Sequence, residues 1–356
     1  MMNLKKWTLI ALAATFVSCN SDDNSDSSVQ QGEFSNGVWV LNEGGFMHNN
    51  ASISFISQSG EIQNNVFETV NGRTLGDVAV SLNFDGNYAY VVVNNSNTIE
   101  VVNRFTMESV TTIGGELQNP RYVEFHNGKA YVSNWGDGYN PNDDFIAVID
   151  LSTNSVIEKI PVSEGPDKMV EENNKLYIAH HGGYGYGNSI SILDLNSNQI
   201  TGSISVADVP NGLIEEDGYL YVLSSGKEAW TQDETLGALQ KIDLENNQIV
   251  DEFNFAQGQH PSHLQIENDK VYYVIGTNVY RTETANVEPS NSAFISTTSD
   301  NVQTLYGFNV ANGWIYISDA KDYASNGELY VYALNGNLQS NYPVNGIIPN
   351  SVYFNH

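Results

Sequence analysis

Ala130-Tyr131-Val132 is one copy of a short apolar stretch with an aromatic residue at its second position. The stretch recurs along the chain as Val38-Trp39-Val40, Ala89-Tyr90-Val91, Leu176-Tyr177-Ile178, Leu220-Tyr221-Val222, Val271-Tyr272-Tyr273 and Ile315-Tyr316-Ile317. Successive copies are roughly 40–50 residues apart, which is the length of a four-stranded propeller blade. The repeat therefore predicts an all-β fold: a seven-bladed β-propeller with four-stranded antiparallel blades.

The same order of elements surrounds the aromatic stretch in successive repeats. A strand that starts with proline precedes it, at Pro120, Pro166 and Pro210. Between the two strands lies a two-residue turn, such as Asn127-Gly128 or Asp217-Gly218, whose residues tolerate positive φ in a tight hairpin. No window shows a sustained helical period, so we predict strands throughout.

The two ends of the repeat region indicate how the ring closes. The first aromatic stretch begins at Val38 without a preceding proline-led strand, whereas Pro349 leads a final strand that has no blade of its own. We expect this last strand to complete the blade that begins at Val38, which removes the exposed edges of an open array. The alternative is an eighth blade hidden within residues 60–82 or 228–260, because these intervals are slightly longer than the mean.

The first residues have the pattern of a lipoprotein export signal. Lys5 and Lys6 precede the apolar stretch 7–17, and Ser18 precedes Cys19. We predict a signal peptide over 1–18, a lipidated Cys19 with an acidic disordered tether over 19–33, and one propeller domain over 34–356. An ordinary cleaved signal peptide is the alternative. The tether resembles the acidic signals of some Gram-negative surface lipoproteins, which implies an outer-membrane location facing the cell exterior.

The composition of the chain excludes some kinds of bond and some classes of partner. Cys19 is its single cysteine, so a lipidated chain forms no disulfide and no thiolate metal site. The formal net charge is −28, which repels phosphate backbones and anionic lipid surfaces. We therefore expect no nucleic-acid partner, and membrane contact through the lipid anchor alone.

Several motifs resemble a known group of propellers. Tyr131-Val132-Ser133-Asn134 and the later stretch 146–150 resemble the YVTN-type, or YncE-like, propellers. The stretches 41–45, 71–77 and 93–97 resemble a narrower branch, the surface lipoprotein propellers of Gram-negative bacteria. Some members of this branch, the BtuG-type proteins, capture cobalamin and pass it to a TonB-dependent outer-membrane transporter. The resemblance implies capture of a ligand such as a corrinoid beside such a transporter.

The long loops that join second to third strands, or one blade to the next, have the composition of a binding surface. They are rich in aromatic residues, His and Gly, whereas the tight turns contain Asn, Asp and Gly. Packing against neighbouring blades is the alternative role for any one of these rings. With two cations and the histidines, the predicted ligand-binding residues are Phe46, His48, Arg121, Trp135, Tyr139, Lys168, His180, His181, Tyr184, Tyr186, Trp230, His260 and Tyr323.

The histidines and one acidic loop are candidate metal ligands. The four histidines His180, His181, His260 and His263 could coordinate a metal or offer an axial ligand to a corrinoid or a haem. Ordinary hydrogen-bonding histidines are favoured, because no spacing matches a metal motif. Adjacent residues on a strand point in opposite directions, so at most one of His180 and His181 faces a given site. The residues with enough oxygen ligands for a structural calcium are Asp137, Asn140, Asn142, Asp143 and Asp144.

Binding is favoured over catalysis. The sequence shows no nucleophile with a positioned base and no phosphate-binding glycine loop, so we expect a protein that is not an enzyme. Arg121, Lys168 and Arg73 stand out in so acidic a chain; they either meet an anionic group of a ligand or pair with carboxylates in the channel. The alternatives are a structural, adhesive, glycan-binding or protein-binding module and, third, a metal- or His-dependent hydrolase or lyase.

Overall fold

Seven four-stranded antiparallel sheets make up the part of the chain that the computed structural model describes, residues 32–288 and 290–355. The first strands of consecutive sheets contact one another around a common centre, so each sheet is a blade and its first strand is the inner one. The predicted seven-bladed propeller is confirmed. The predicted signal peptide, Cys19 and the tether as far as residue 31 lie outside the described residues.

The blades follow the order of the chain, and each has its strands in order from the centre outwards, except that the inner strand of blade 1 comes last in the chain. In blades 1 to 3 the strands are Pro349–Asn355, Gly37–Asn42, Ser52–Ser57 and Ile62–Gln63; Ala79–Asp85, Tyr88–Val93, Thr98–Asn103 and Ser109–Ile113; Pro120–His126, Lys129–Asn134, Phe145–Asp150 and Ser155–Pro161. In blades 4 and 5 they are Pro166–Glu172, Lys175–His180, Ser189–Asp194 and Gln199–Ser205; Pro210–Glu216, Tyr219–Ser224, Ala238–Asp243 and Gln248–Asn254. In blades 6 and 7 they are Ser262–Glu267, Lys270–Ile275, Asn278–Glu283 and Ile295–Ser296; Leu305–Ala311, Trp314–Asp319, Asn326–Ala333 and Leu338–Ile347.

The two longer intervals contain short helical turns instead of an eighth blade. The α-helix Val66–Asn71 lies in the first interval, and the 3-10 helix Ala229–Thr231 lies in the second; another 3-10 helix is Thr297–Asp300. The α-helix was not predicted because six residues are too few to show a helical period. Gly72, at φ 67°, ends it and donates its N–H to the carbonyl of Glu68. Over the described ranges, no helix has the length and apolar character needed to cross a membrane.

The two ends of the described chain share blade 1, as predicted. Pro349–Asn355 pairs antiparallel with Gly37–Asn42, and Gly37 lies opposite Asn355. The Asn355 side chain is fully buried and donates to the carbonyl of Phe34 at 2.6 Å and to that of Arg104. It thereby ties the first described residues, the last strand and blade 2 together.

The core lies between the blades. Seven clusters of buried apolar residues occur within the described part of the chain, one for each pair of neighbouring blades. The aromatic residue of every repeat is buried, from Trp39 in blade 1 to Tyr316 in blade 7. Several tyrosines also reach the next blade: the Tyr131 hydroxyl donates to Asn198 Oδ1 at 3.1 Å, and the Tyr221 hydroxyl donates to the Thr284 carbonyl at 3.2 Å. Tyrosine thus fills the core and satisfies a neighbouring turn.

The ring has two different faces. One, which we call the turn face, holds the tight turns and the start of Gly37–Asn42, and its turn residues have positive φ, as at Asn127 (47°) and Gly128 (73°). The opposite side, the loop face, holds the long connections between second and third strands and between blades. Hence the predicted ligand-binding loops lie together on one face.

Candidate ligand-binding site

An irregularity of the inner strands creates the site. In blade 3, Pro120 pairs with Asn134, but the next pair joins Val123 to Val132, so two residues are left without a partner in the ladder. Such a bulge redirects side chains and marks functional positions in sheets. The inner strands of all seven blades have this break near the loop face, and the residues skipped by the pairing are Val80, Arg121, Tyr122, Asp167, Lys168, Asn211, His263, Leu264, Tyr306 and Asn350.

All of the skipped residues except Leu264, which is buried in the core, line a cavity of about 310 Å³ at the loop-face end of the central channel. Every blade contributes to its wall, and we call it the channel mouth. It lies at the small end of the range for ligand pockets. A second cavity of about 190 Å³ adjoins it deeper in the channel and shares four lining residues with it, Tyr122, Lys168, His263 and Ser351. The lining of the mouth is Glu43, Val80, Arg121, Tyr122, Asp167, Lys168, His181, Asn211, Ser262, His263, Leu305, Tyr306, Asn350 and Ser351.

An ion pair lies at one side of the mouth. Arg121 Nε is 3.5 Å from Asp167 Oδ1, and the Arg121 guanidinium lies over the ring of Trp135, 4.1 Å from its centroid. The indole N–H of Trp135 donates to the Pro166 carbonyl at 2.9 Å. These contacts fix both the cation and the ring in place.

Aromatic rings continue from Trp135 towards solvent. The rings of Trp135 and His181 are nearly parallel, at 14° and 6.2 Å between centroids. Tyr184 meets Trp135 edge-on at 6.1 Å and stacks on Tyr139 at 6.1 Å. Because Tyr184 is 72% exposed and Tyr139 is 96% exposed, the outer rings offer free surface to a ligand.

A carboxyl group is held at the other side of the mouth. Glu43 accepts hydrogen bonds from Asn350 Nδ2 at 3.0 Å and from the Tyr306 hydroxyl at 3.1 Å. Burial raises the pKa of Glu43 despite these bonds. Tyr323, a predicted residue on an exposed loop, meets the Tyr306 ring edge-on at 5.8 Å.

Three basic groups in the channel have lowered pKa values. Burial lowers the pKa of His181 and of Lys168, and burial together with the Lys168 charge lowers that of His263 to about 3. The two histidines are therefore neutral at physiological pH and can each donate or accept a hydrogen bond.

Several predicted residues lie on the exposed loops outside the mouth: Phe46, His48, Tyr186 and Trp230. Trp230 is 75% exposed. Lys227 Nζ lies 5.9 Å from the centroid of the Tyr186 ring. These residues extend the apolar rim of the loop face without lining the channel mouth.

Three other predicted positions have structural roles. His180 is fully buried, with Nε2 2.8 Å from Ser191 Oγ, so it faces away from the site that His181 lines. His260 Nδ1 is 2.8 Å from the Ser225 carbonyl and holds the loop. Arg73 binds the buried Glu100 carboxylate at 2.6 Å. The structure therefore places His181 at the mouth and His180 inside the fold, away from it.

Several side-chain oxygens of the predicted calcium loop accept hydrogen bonds from backbone N–H groups. The Asp143 carboxylate accepts from the backbone N–H of Asp137, the Asp137 side chain accepts from that of Tyr139, and Asn140 Oδ1 accepts from that of Asn142. Asp144 is buried and accepts from Gly165 N–H at 2.8 Å. Among the residues that the structure covers, no group of three or more His, Cys, Asp or Glu side chains is arranged to hold a metal.

Much of the mouth was not predicted from the sequence. Glu43, Asp167, Asn211, Tyr306 and Asn350 line it but were absent from the predicted site. A signal was present, because Arg121, Asp167, Asn211 and Asn350 all directly follow the proline that starts an inner strand.

The match with a family model covers most of the chain. The model spans residues 36–353 and is described as a domain of unknown function, DUF5074. The chain belongs to this family. No curated protein matches it.

Solved structures similar to this DUF5074 propeller have low sequence identity. A quinonprotein alcohol dehydrogenase-like protein from Bacteroides thetaiotaomicron matches at a TM-score of 0.68 and 13% identity, over 91% of this chain and 79% of that chain. A functionally unknown protein from Desulfotomaculum acetoxidans matches at 0.65 and 15%, over 90% and 99%. At such identities the likeness supports the propeller fold alone.

Proposed function

We propose that this propeller binds an organic ligand at the channel mouth and the aromatic surface beside it. The observation that carries the proposal is a set of buried polar atoms with no hydrogen-bond partner within the described chain: His181 Nδ1, Asn211 Oδ1 and Asn350 Oδ1. All three belong to residues that line the mouth. Buried polar groups without partners are costly and rare, and a ligand that supplies partners would offset this cost.

The aromatic surface suits a flat, partly apolar body. Trp135 is fixed by two contacts, and Tyr184 and Tyr139 extend it into solvent. Rigid rings supply contact area at a low entropic cost. Arg121 is paired with Asp167, and Glu43 accepts hydrogen bonds from Tyr306 and Asn350. Charged groups held in this way support orientation of a ligand more than catalysis.

We also propose a lipid anchor at Cys19 and display on the outer face of the outer membrane, on the strength of the N-terminal sequence.

A corrinoid such as cobalamin, captured for a TonB-dependent transporter, is the specific ligand that we propose. The motif resemblance supports it, and so does His181, whose buried Nδ1 has no partner among the described residues and whose pKa is lowered by burial. A neutral imidazole can ligate a metal. Because the mouth holds only about 310 Å³, the macrocycle would rest on the aromatic surface and a side group would enter the channel.

A calorimetric titration of the purified protein with cyanocobalamin tests this proposal. We expect binding in the micromolar range or tighter, and at least a tenfold loss in Trp135→Ala. The matched control is Trp314→Ala, because Trp314 is 40% exposed and follows the tight turn at Gly313 on the turn face. Absence of binding at micromolar ligand would refute the corrinoid, and an equal loss in both variants would refute the mouth as the site.

A second candidate is an adhesive module that grips glycan or a partner protein. It is favoured by the exposed rings outside the mouth, Phe46 and Trp230, since large exposed apolar groups mark interaction surfaces. The double variant Trp135→Ala, Trp230→Ala should then lose adhesion to cells or glycan surfaces, and unchanged adhesion would count against this function.

A further inference from the structure

Two amide side chains at the channel mouth have a fixed orientation. Asn350 Nδ2 donates to Glu43 Oε1 at 3.0 Å and lies within reach of the carbonyls of Val80 (2.9 Å) and Ala79 (3.3 Å). Asn211 Nδ2 donates to the Pro261 carbonyl at 2.9 Å. Each amide therefore has its nitrogen turned to acceptors. The groups left without a partner among the described residues are the two Oδ1 atoms, which accept hydrogen bonds and donate none.

The cations of the mouth are already compensated. Arg121 has Asp167 beside it and Trp135 under its guanidinium. Lys168 is the other cation of the lining, and Asp167 and Glu43 supply an equal number of carboxyl groups, so the charges balance when all four groups are ionised. The whole chain carries a formal charge of −28. The mouth therefore lacks the excess positive charge that draws an anion into a pocket.

A carboxylate and a carboxamide of the same shape would meet this wall differently. A carboxylate beside the Oδ1 atom of Asn211 or of Asn350 would lose its hydration, and no proton would be available to bridge the two acceptors. An amide N–H₂ in the same place would donate to that Oδ1 atom, and its carbonyl could accept from Lys168 or a histidine. Sites built to pair a polar group discriminate strongly against an analogue that leaves it unpaired.

We infer that the channel mouth is selective for a neutral group that donates hydrogen bonds, a primary carboxamide or a sugar hydroxyl, over the matching carboxylate. The inference rests on the proposed binding function and adds the chemical class of the group that enters the channel. The flat part of the same ligand lies on Trp135 and Tyr184.

Benzamide and benzoate test the inference because they share a flat ring and differ only in the group that enters the mouth. Ligand-observed saturation-transfer NMR at neutral pH, where benzoate is ionised, measures both affinities. We expect benzamide to bind at millimolar concentration and benzoate at least tenfold more weakly. Equal or tighter binding of benzoate, or no benzamide signal up to tens of millimolar, would overturn the inference.

A matched pair of variants assigns the selectivity to the mouth. Asn211→Ala removes one of the two acceptors and should reduce the ratio of the two affinities towards one. Asn64 is the control, since its Nδ2 also donates to a proline carbonyl, that of Pro343, and its buried Oδ1 also has no partner among the described residues, yet it lies outside the mouth. Asn64→Ala should keep the wild-type ratio. An unchanged ratio in Asn211→Ala would contradict the assignment.

The two proposals fail in different ways. If cyanocobalamin does not bind while benzamide is preferred over benzoate, the corrinoid proposal is wrong and the selectivity of the mouth stands. If cyanocobalamin binds while the ratio is one, the binding function stands and this inference is wrong.

Discussion

The two faces of the ring differ in what their polar side chains border. On the turn face they lie in closed turns, where the Asp150 side chain accepts from the N–H groups of Ser152 and Thr153. On the loop face the bulges bring Asn211 and Asn350 to a cavity, and their Oδ1 atoms have no partner among the described residues. The comparison supports the proposal that ligand binding belongs to the loop face.

The largest expected effect separates two tyrosines of blade 4. Tyr177 is buried between blades, whereas Tyr184 is 72% exposed on the loop face. Tyr177→Ala should lower the free energy of unfolding by about 3–5 kcal/mol, as for other large aromatic residues replaced in a core. Tyr184→Ala should change it by less than about 0.5 kcal/mol and weaken ligand binding instead. Urea unfolding measures both, and similar losses of stability would break the distinction between the faces.

A smaller effect is expected from two glycines with different backbone conformations. Gly218 is at φ 80° in a turn, and an added Cβ would have no neighbour within 4 Å, so Gly218→Ala should cost about 1–2 kcal/mol through backbone strain alone. Gly202 lies in the strand Gln199–Ser205 without positive φ, and an added Cβ meets only Ile192 at ordinary contact distance. Gly202→Ala should stabilise the protein by about 0.4–1 kcal/mol.

One result of urea unfolding of these two variants would contradict the prediction. Changes of the same sign would show that φ at the turn does not decide stability there. Ligand binding should remain unchanged in both variants, because both positions lie away from the mouth.

The smallest effect concerns a carboxyl group beneath the loop face. Burial, with the charges of Asp143 and Glu164, raises the pKa of Asp144 to about 6 from 3.8, although Gly165 N–H donates to it. The folded state therefore holds this proton more tightly than the unfolded state, and the stability contributed by Asp144 falls as the pH rises from 3.8 to about 6.

Asp144→Asn removes this titration and keeps an acceptor for Gly165 N–H. We expect the variant to be more stable than the wild type at neutral pH, and the difference to shrink as the pH falls from about 6 to 3.8, the ordinary pKa of the group, and to stay constant below that. Urea unfolding across this range measures it. A difference that does not change with pH would show that Asp144 has no raised pKa in the folded protein.

The regular strands of the blades were predictable from the sequence, whereas the bulges that interrupt the inner strands were not. Trp39, Tyr131 and Tyr177 were identifiable because buried aromatic residues recur at blade spacing, and Pro349 indicated the closing strand. Asn211 and Asn350 directly follow the proline that starts an inner strand, but they were missed because regular alternation does not show the bulge that brings these positions to the cavity.

His180 and His181 show both what the sequence could predict and what it could not. Alternation along a strand correctly implied that only one of His180 and His181 could face a given site. It did not show which one, because that depends on the partners that each ring meets: Ser191 for His180 and Trp135 for His181.

The pairing of Gly37 with Asn355 places the two ends of the folded chain side by side. A ring whose ends adjoin has no structurally required first blade. A short linker from residue 355 to residue 32 would allow the chain to be opened at the tight turn Asn173-Asn174, as a circular permutant with the same seven sheets. In such a permutant the order of the blades along the chain would change, while the mouth that all seven of them line would keep its composition.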